Sequence, residues 1–300
     1  MSIVITVLDP KKVIQVSDTL VTQFTDHSVM SDIARKTILV LGSKAKFVVG
    51  WVGIAIDATG RHETGRWLWE TLVKMDAVEL TIKQITGGLA SAATRDFANL
   101  QAGDKRLSVV MAGWDASSFV VTVSNSLKVR NKRNPNPSNK KHHIPSVTGT
   151  RCSETFTVNI QRYAKNYSKR PAERYARGKR RDYLVAVVGD FTSNKLDHHF
   201  TKLKKQLKRK VPASEVTDVC RETALEASKH TKTIGRTLIG VELLRKGKSL
   251  CTYYSENDKP EILIPPMLTL QGASIDGTIT ENPDGTTRVR AKIVRREKKP

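Results

Sequence analysis

The sequence predicts an α+β protein in which two β-sheets pack together between layers of helix. Three observations lead there. Short β-branched and apolar runs, bounded by turn residues, mark strands. Longer segments with apolar residues at three- and four-residue steps mark helices. The two kinds alternate in blocks, as four strands, two helices, two or three strands, two helices and two strands. A doubly wound parallel sheet alternates strands and helices singly, so the block order favours packed sheets covered by helices.

The first block opens with Ile3–Leu8 and Val13–Val16, which flank the turn Asp9-Pro10-Lys11-Lys12. A polar segment without a clean period, Thr19 to Lys36, leads to a second strand pair, Thr37–Leu41 and Lys46–Val52, across Gly42-Ser43-Lys44. That pair ends in Gly50-Trp51-Val52-Gly53, where glycines permit close approach of another backbone. Helices are expected at about Arg61–Lys74 and Val78–Leu100; the second carries Val78, Ile82, Ile85, Leu89, Ala92, Ala93 and Phe97 on one face.

Strands resume at Leu107–Ala112 and Phe119–Val123. Residues 128–181 differ in kind: sixteen lysines and arginines stand against two acidic residues, so this reads as a basic insertion, with a helix expected around Thr155–Tyr167. Tyr183–Val188 is an apolar run ending at Gly189, expected as a buried strand. Leu196, Phe200, Leu203 and Leu207 mark a helix with a lysine-rich outer face, and Ser214 is placed to cap another that runs to about Lys229. Ile234–Leu244 and Ser249–Tyr254 form the last pair. The organisation expected is a domain over 1–254 interrupted by the insertion at 128–181, then an extension over 255–300. The extension closes with a hairpin, Ile275–Thr280 and Arg288–Val294, turned at Asn282-Pro283-Asp284-Gly285.

A chain of 300 residues, 39% hydrophobic and 27% charged, can bury a large core. Its net charge of +22 predicts attraction to polyanions: nucleic acid, an anionic surface or an acidic partner. Cys152, Cys220 and Cys251 are odd in number and far apart, which predicts neither a disulfide framework nor a metal knuckle and fits a reducing, cytoplasmic setting. No apolar run reaches bilayer-spanning length, and Asp9-Pro10 breaks the first one, so neither a membrane partner nor a signal peptide is expected. His142-His143 and His198-His199 are adjacent pairs lacking ligand spacing, and no metal or cofactor is expected.

The chemistry is sought at the first strand. Removal of Met1, which the small Ser2 permits, leaves a hydroxyl and a free α-amine on one residue at a strand tip. Such an amine has an ordinary pKa of about 7.7–8.0, suited to a general base for its own hydroxyl. Asp18 closes the hairpin at the same sheet end.

These residues resemble the N-terminal-nucleophile hydrolases, and specifically proteasome β-type subunits and their bacterial two-ring relative. The separation of Ser2 and Asp18 is similar to that of the family's nucleophile and first aspartate, and Lys36 in Ala34-Arg35-Lys36-Thr37 matches its lysine. Gly50 matches the glycine whose amide serves the oxyanion hole, and Asp57 matches an aspartate of the bacterial relative. Val109–Asp115 followed by Phe119–Val123 looks like the family's strand, AG-x-D, strand unit. The resemblance covers about Ser2–Ser126 and Asp182–Tyr254. It departs in having serine as nucleophile, Val188 where the family has a supporting serine, and His230-Thr231 near its second aspartate.

What the resemblance implies is a four-layer αββα sandwich and an amide hydrolase acting on a peptide or protein through an acyl-enzyme on Ser2. Catalytic roles then fall to Asp18, Lys36 and Gly50. It implies a homo-oligomeric ring, and the basic surfaces, by their charge, suit an ATPase or polyanion partner. Two rival readings use other features: an inactive structural subunit of the same fold, and a nucleic-acid-binding protein acting through the insertion.

Overall fold

A computed structural model describes residues 2–8, 11–22, 29–31, 34, 36–102, 104–127, 151–163, 184–189, 198–199, 201–203, 205–206, 209, 212–246, 249–254, 267–269, 273–281 and 287–295. The fold is mixed α/β, with nearly half of the described residues in two large sheets. The first is antiparallel throughout and orders its strands β10 (Leu184–Gly189), β1 (Ile3–Leu8), β2 (Lys12–Asp18), β11 (Leu238–Leu244), β12 (Ser249–Tyr254), β15 (Thr287–Arg295) and β14 (Ala273–Glu281). The second orders β13 (Met267–Thr269), β5 (Thr37–Leu41), β6 (Lys46–Gly53), β7 (Leu107–Trp114), β8 (Ser118–Leu127) and β9 (Arg151–Tyr163), with β13 parallel to β5. The C-terminal strands thus add to both sheets. A small ribbon, β3 (Val21–Thr22) with β4 (Val29–Ser31), rises from the segment after β2.

Alternation along the strands decides which face meets what. Ile3, Ile5 and Val7 of β1 pack with Ile14 and Val16 of β2 against Val216, Val219, Cys220, Ala224 and Ala227 of α3 (Ala213–His230). Val4 and Leu8, on the opposite face, join Val13, Ile239 and Val241 and meet Leu39, Val48, Val110 and Val120 of the second sheet. The second sheet's other face, with Phe47, Val49, Met111 and Val121, is covered by α1 (Thr64–Lys74) and α2 (Ile82–Ala98). Because both faces are buried, β1 and β7 read as continuous apolar runs rather than alternating ones.

The helix α2 starts about one turn later than its apolar pattern, at Ile82 rather than Val78. Ala77–Glu79 is a 3₁₀ turn, and Thr81 caps α2: its hydroxyl accepts from the Gln84 N–H, while the Gln84 side chain accepts from the Thr81 N–H at 3.1 Å. That reciprocal box satisfies two donors the first helical turn leaves open. The cap of α3 falls at Pro212 rather than Ser214. Residues 201–203 and 205–206 are helical where the preceding helix was expected, and Leu203 is buried beside α3.

One element differs in kind. The helix expected at Thr155–Tyr167 is strand through Tyr163, where β9 pairs antiparallel with β8 from Ser118↔Tyr163 onward. Phe156 turns inward onto α2, its ring centroid 5.4 Å from that of Phe97, and its N–H donates to Thr94 Oγ1 at 3.0 Å. The Asn134-Pro135-Asn136-Pro137 turn, His142-His143, the Arg177–Arg181 run and the turn at 282–285 lie outside the described residues.

Candidate active site

The hairpin register brings the start of β1 to the end of β2, with Val4 opposite Ser17. Ser2, ahead of β1, is 3% exposed, while Asp18 and Lys36 are fully buried. Asp18 Oδ1 accepts the Ile3 N–H at 2.9 Å, which ties the carboxylate to the residue after the hydroxyl. Its Oδ2 accepts from the Leu20 N–H and the Gly235 N–H, each at 3.2 Å, and from Lys36 Nζ at 3.0 Å. Lys36 reaches this point because it precedes β5, whose first residue, Thr37, meets Ser17 hydroxyl to hydroxyl at 2.9 Å between the sheets.

Lys36 Nζ also donates to Ser2 Oγ at 2.5 Å and to the Leu20 carbonyl. An ammonium carries three donors, and all three have acceptors here. Burial pushes the Lys36 pKa below its ordinary value, while the charge and hydrogen bond of Asp18 oppose that push. The result is a lysine whose neutral form is closer to reach than in water, beside a hydroxyl it can deprotonate.

The structure brings together Ser2, Asp18 and Lys36. Gly50 lies nearby in the ladder but faces elsewhere. Trp51 N–H donates across β5 to the Lys36 carbonyl at 3.3 Å, so antiparallel alternation directs the Gly50 N–H at β7, opposite Val110. The Gly50 α-carbon faces the sheet interface: a Cβ there would stand 2.7 Å from Gln15 Oε1 and 2.8 Å from Val4 Cγ1. Asp57 shapes the turn before α1, accepting from the His62 N–H at 3.1 Å and from the Thr59 hydroxyl; these bonds hold its carboxyl below the ordinary range.

The departures are also placed. Val188 is buried between the sheets opposite Val4. His230 ends α3, its Nε2 3.2 Å from Glu226 Oε1. Gly189 has φ +145°, and a Cβ on it would stand 2.2 Å from the Ser2 carbonyl oxygen, so a glycine lets β10 pass the start of β1. His198 and His199 stack edge to face at 5.7 Å; among the described residues no group of three His, Cys, Asp or Glu side chains could hold a metal. Nor is any described helix long and apolar enough to cross a membrane.

Two contributors escaped sequence reasoning, the Leu20 carbonyl and the Gly235 N–H. Both are backbone groups, and Gly235 lies 217 positions from Asp18, so no local spacing announces them.

No protein-family model matches the chain, and no curated protein matches it. Among solved structures it is similar to Anbu (ancestral beta-subunit) from Yersinia bercovieri, with 9% sequence identity, a TM-score of 0.45 and 81% of each chain covered.

Proposed function

We propose that the chain is an N-terminal-serine amide hydrolase of αββα sandwich type, cleaving a peptide or protein substrate through an acyl-enzyme on Ser2. The observation that carries this reading is the buried contact of Lys36 Nζ with Ser2 Oγ at 2.5 Å, the lysine being held by Asp18 at 3.0 Å. A serine hydroxyl is a poor nucleophile until a base takes its proton, and a desolvated lysine is such a base.

Ser2 Oγ attacks the substrate carbonyl carbon as its proton passes to neutral Lys36. Once Met1 is removed, the Ser2 α-amine is a second acceptor for that proton. The resulting Lys36 ammonium faces the developing oxyanion, in a site where low dielectric strengthens the attraction. The C–N bond breaks, the leaving nitrogen takes a proton from the ammonium, and an ester remains on Ser2. Water, deprotonated by the same base, hydrolyses that ester and restores the hydroxyl. Gly50 can act as the oxyanion donor that the resemblance makes it only by leaving its ladder position opposite Val110. The resemblance adds a homo-oligomeric ring to the proposal.

The deciding experiment is labelling by a serine-directed acylating probe, located by mass spectrometry, together with peptide turnover. Acylation on Ser2 that Ser2→Ala abolishes supports the reading. Equal turnover by the wild-type and Ser2→Ala chains defeats it.

A further inference from the structure

The connection between α3 and β11, residues 231–237, meets the site from the far end of the sequence. Gly235 N–H donates to Asp18 Oδ2 at 3.2 Å. Thr19 donates its N–H at 3.1 Å and its hydroxyl at 3.3 Å to the Thr237 carbonyl. Gly235 also lies against Leu20: a Cβ built on it would stand 2.6 Å from Leu20 Cβ and 3.2 Å from the Leu20 nitrogen. The Leu20 carbonyl, in turn, accepts from Lys36 Nζ. Gly235 therefore meets both residues that, with Ser2, hold the ammonium. It bonds to the Asp18 carboxylate directly, and its bare α-carbon leaves Leu20 the room to present its carbonyl.

The geometry points to Gly235 as a positioning residue for the proposed reaction, setting where Lys36 Nζ stands relative to Ser2 Oγ. Its effect on rate rests on Ser2 being the nucleophile; its effect on Lys36 itself does not. Asp18 from β2 is the ionisable group acting on Lys36, and Ser2 from β1 presents its hydroxyl and, once Met1 is removed, its α-amine. Lys232 and Arg236, on the connection itself, are exposed.

The test uses the full chain with lysine labelled by carbon-13 at Cε, the Lys36 signal being assigned by its loss in Lys36→Arg. In Gly235→Ala the added methyl strikes Leu20, the carbonyl withdraws, and the ammonium loses an acceptor. The Lys36 midpoint is expected to fall by about one pH unit or more. Ser2 acylation should slow about tenfold or more, its pH profile moving in the same direction. Gly235→Ala/Leu20→Gly, which removes the struck Cβ, should bring the midpoint and rate back toward wild type.

An unmoved midpoint in folded Gly235→Ala overturns the proposal, and so does a double variant that folds without restoring it. If Gly235→Ala does not fold, Thr19→Val, which removes the hydroxyl tie to Thr237, must lower the midpoint; no movement there overturns the proposal. A wild-type chain that resists acylation, while Gly235→Ala still shifts Lys36, would defeat the hydrolase reading and leave the positioning of Lys36 standing.

Discussion

Lys36 Nζ stands 2.5 Å from the Ser2 hydroxyl oxygen and 3.0 Å from Asp18 Oδ2, with lysine and carboxylate both sealed from solvent. Attraction between the two charges is large in so dry a place, but so is the cost of stripping their water, and the two nearly cancel. What the pair supplies is geometry, a fixed nitrogen beside a hydroxyl. Breaking it from one side leaves a charge without its partner. Lys36→Met is therefore expected to lower stability by about 3–5 kcal/mol, and Lys36→Met/Asp18→Asn by distinctly less. Urea denaturation of both variants and the wild type measures this; equal losses would mean that the two residues are not coupled.

The pH dependence follows from the lowered Lys36 value. A lysine whose pKa is depressed by folding binds fewer protons in the native chain than in the unfolded one, so stability rises with pH in that window. Its unfavourable contribution is complete below the lowered folded value and fades as pH approaches the ordinary 10.5. Compared with Lys36→Met/Asp18→Asn, the wild type should gain stability as pH is raised toward 10.5. Parallel denaturation series from neutral to alkaline pH test this, and a falling difference would contradict the burial argument.

The inner strands were legible because both of their faces are covered, which makes runs such as Ile3–Leu8 and Leu107–Trp114 buried along their length and largely apolar. Val216, Val219, Cys220, Ala224 and Ala227 of α3 were legible for the matching reason, one face of a 3.6-residue period. At the site, Ser2 and Asp18 could be found because each is a side chain at a strand end, while Lys36, in a polar segment without a clean period, was marked only by the family resemblance. Leu20 and Gly235 contribute only backbone, which carries no residue signature. The ribbon of Val21–Thr22 with Val29–Ser31 was hidden by its brevity, its strands two and three residues long. In β9, Phe156, Val158 and Ile160 alternate with Thr157, Asn159 and Gln161, a two-residue period that surrounding basic residues concealed.

That alternation makes a separate prediction. Phe156 is buried among α2 and β8, whereas Val158, on the same face, is 38% exposed. Phe156→Ala should cost about 3–5 kcal/mol through lost burial and the cavity left behind. Val158→Thr should stay within about 0.5 kcal/mol of wild type, as surface changes do. Thermal or urea unfolding compares them; similar losses at both positions would mean that Val158 is packed as Phe156 is.

Gly50 poses the sharpest question about the sheet interface, because its missing side chain is filled by others. Gln15 Nε2 donates to Thr6 Oγ1 at 3.0 Å, and Gln15 Oε1, without a hydrogen-bond partner among the described residues, points at the Gly50 α-carbon. Gly50→Ala adds a methyl 2.7 Å from that oxygen and 2.8 Å from Val4 Cγ1, so one sheet must give way. Overpacking of this kind costs about 1–3 kcal/mol. Gln15→Ala in the same background removes one of the two collisions and should recover part of the loss, while the contact with Val4 remains. If Gly50→Ala slowed acylation of Ser2 without lowering stability, the glycine would be serving the reaction itself; a stability loss that Gln15→Ala relieves would assign it to the packing of β6 against β1 and β2.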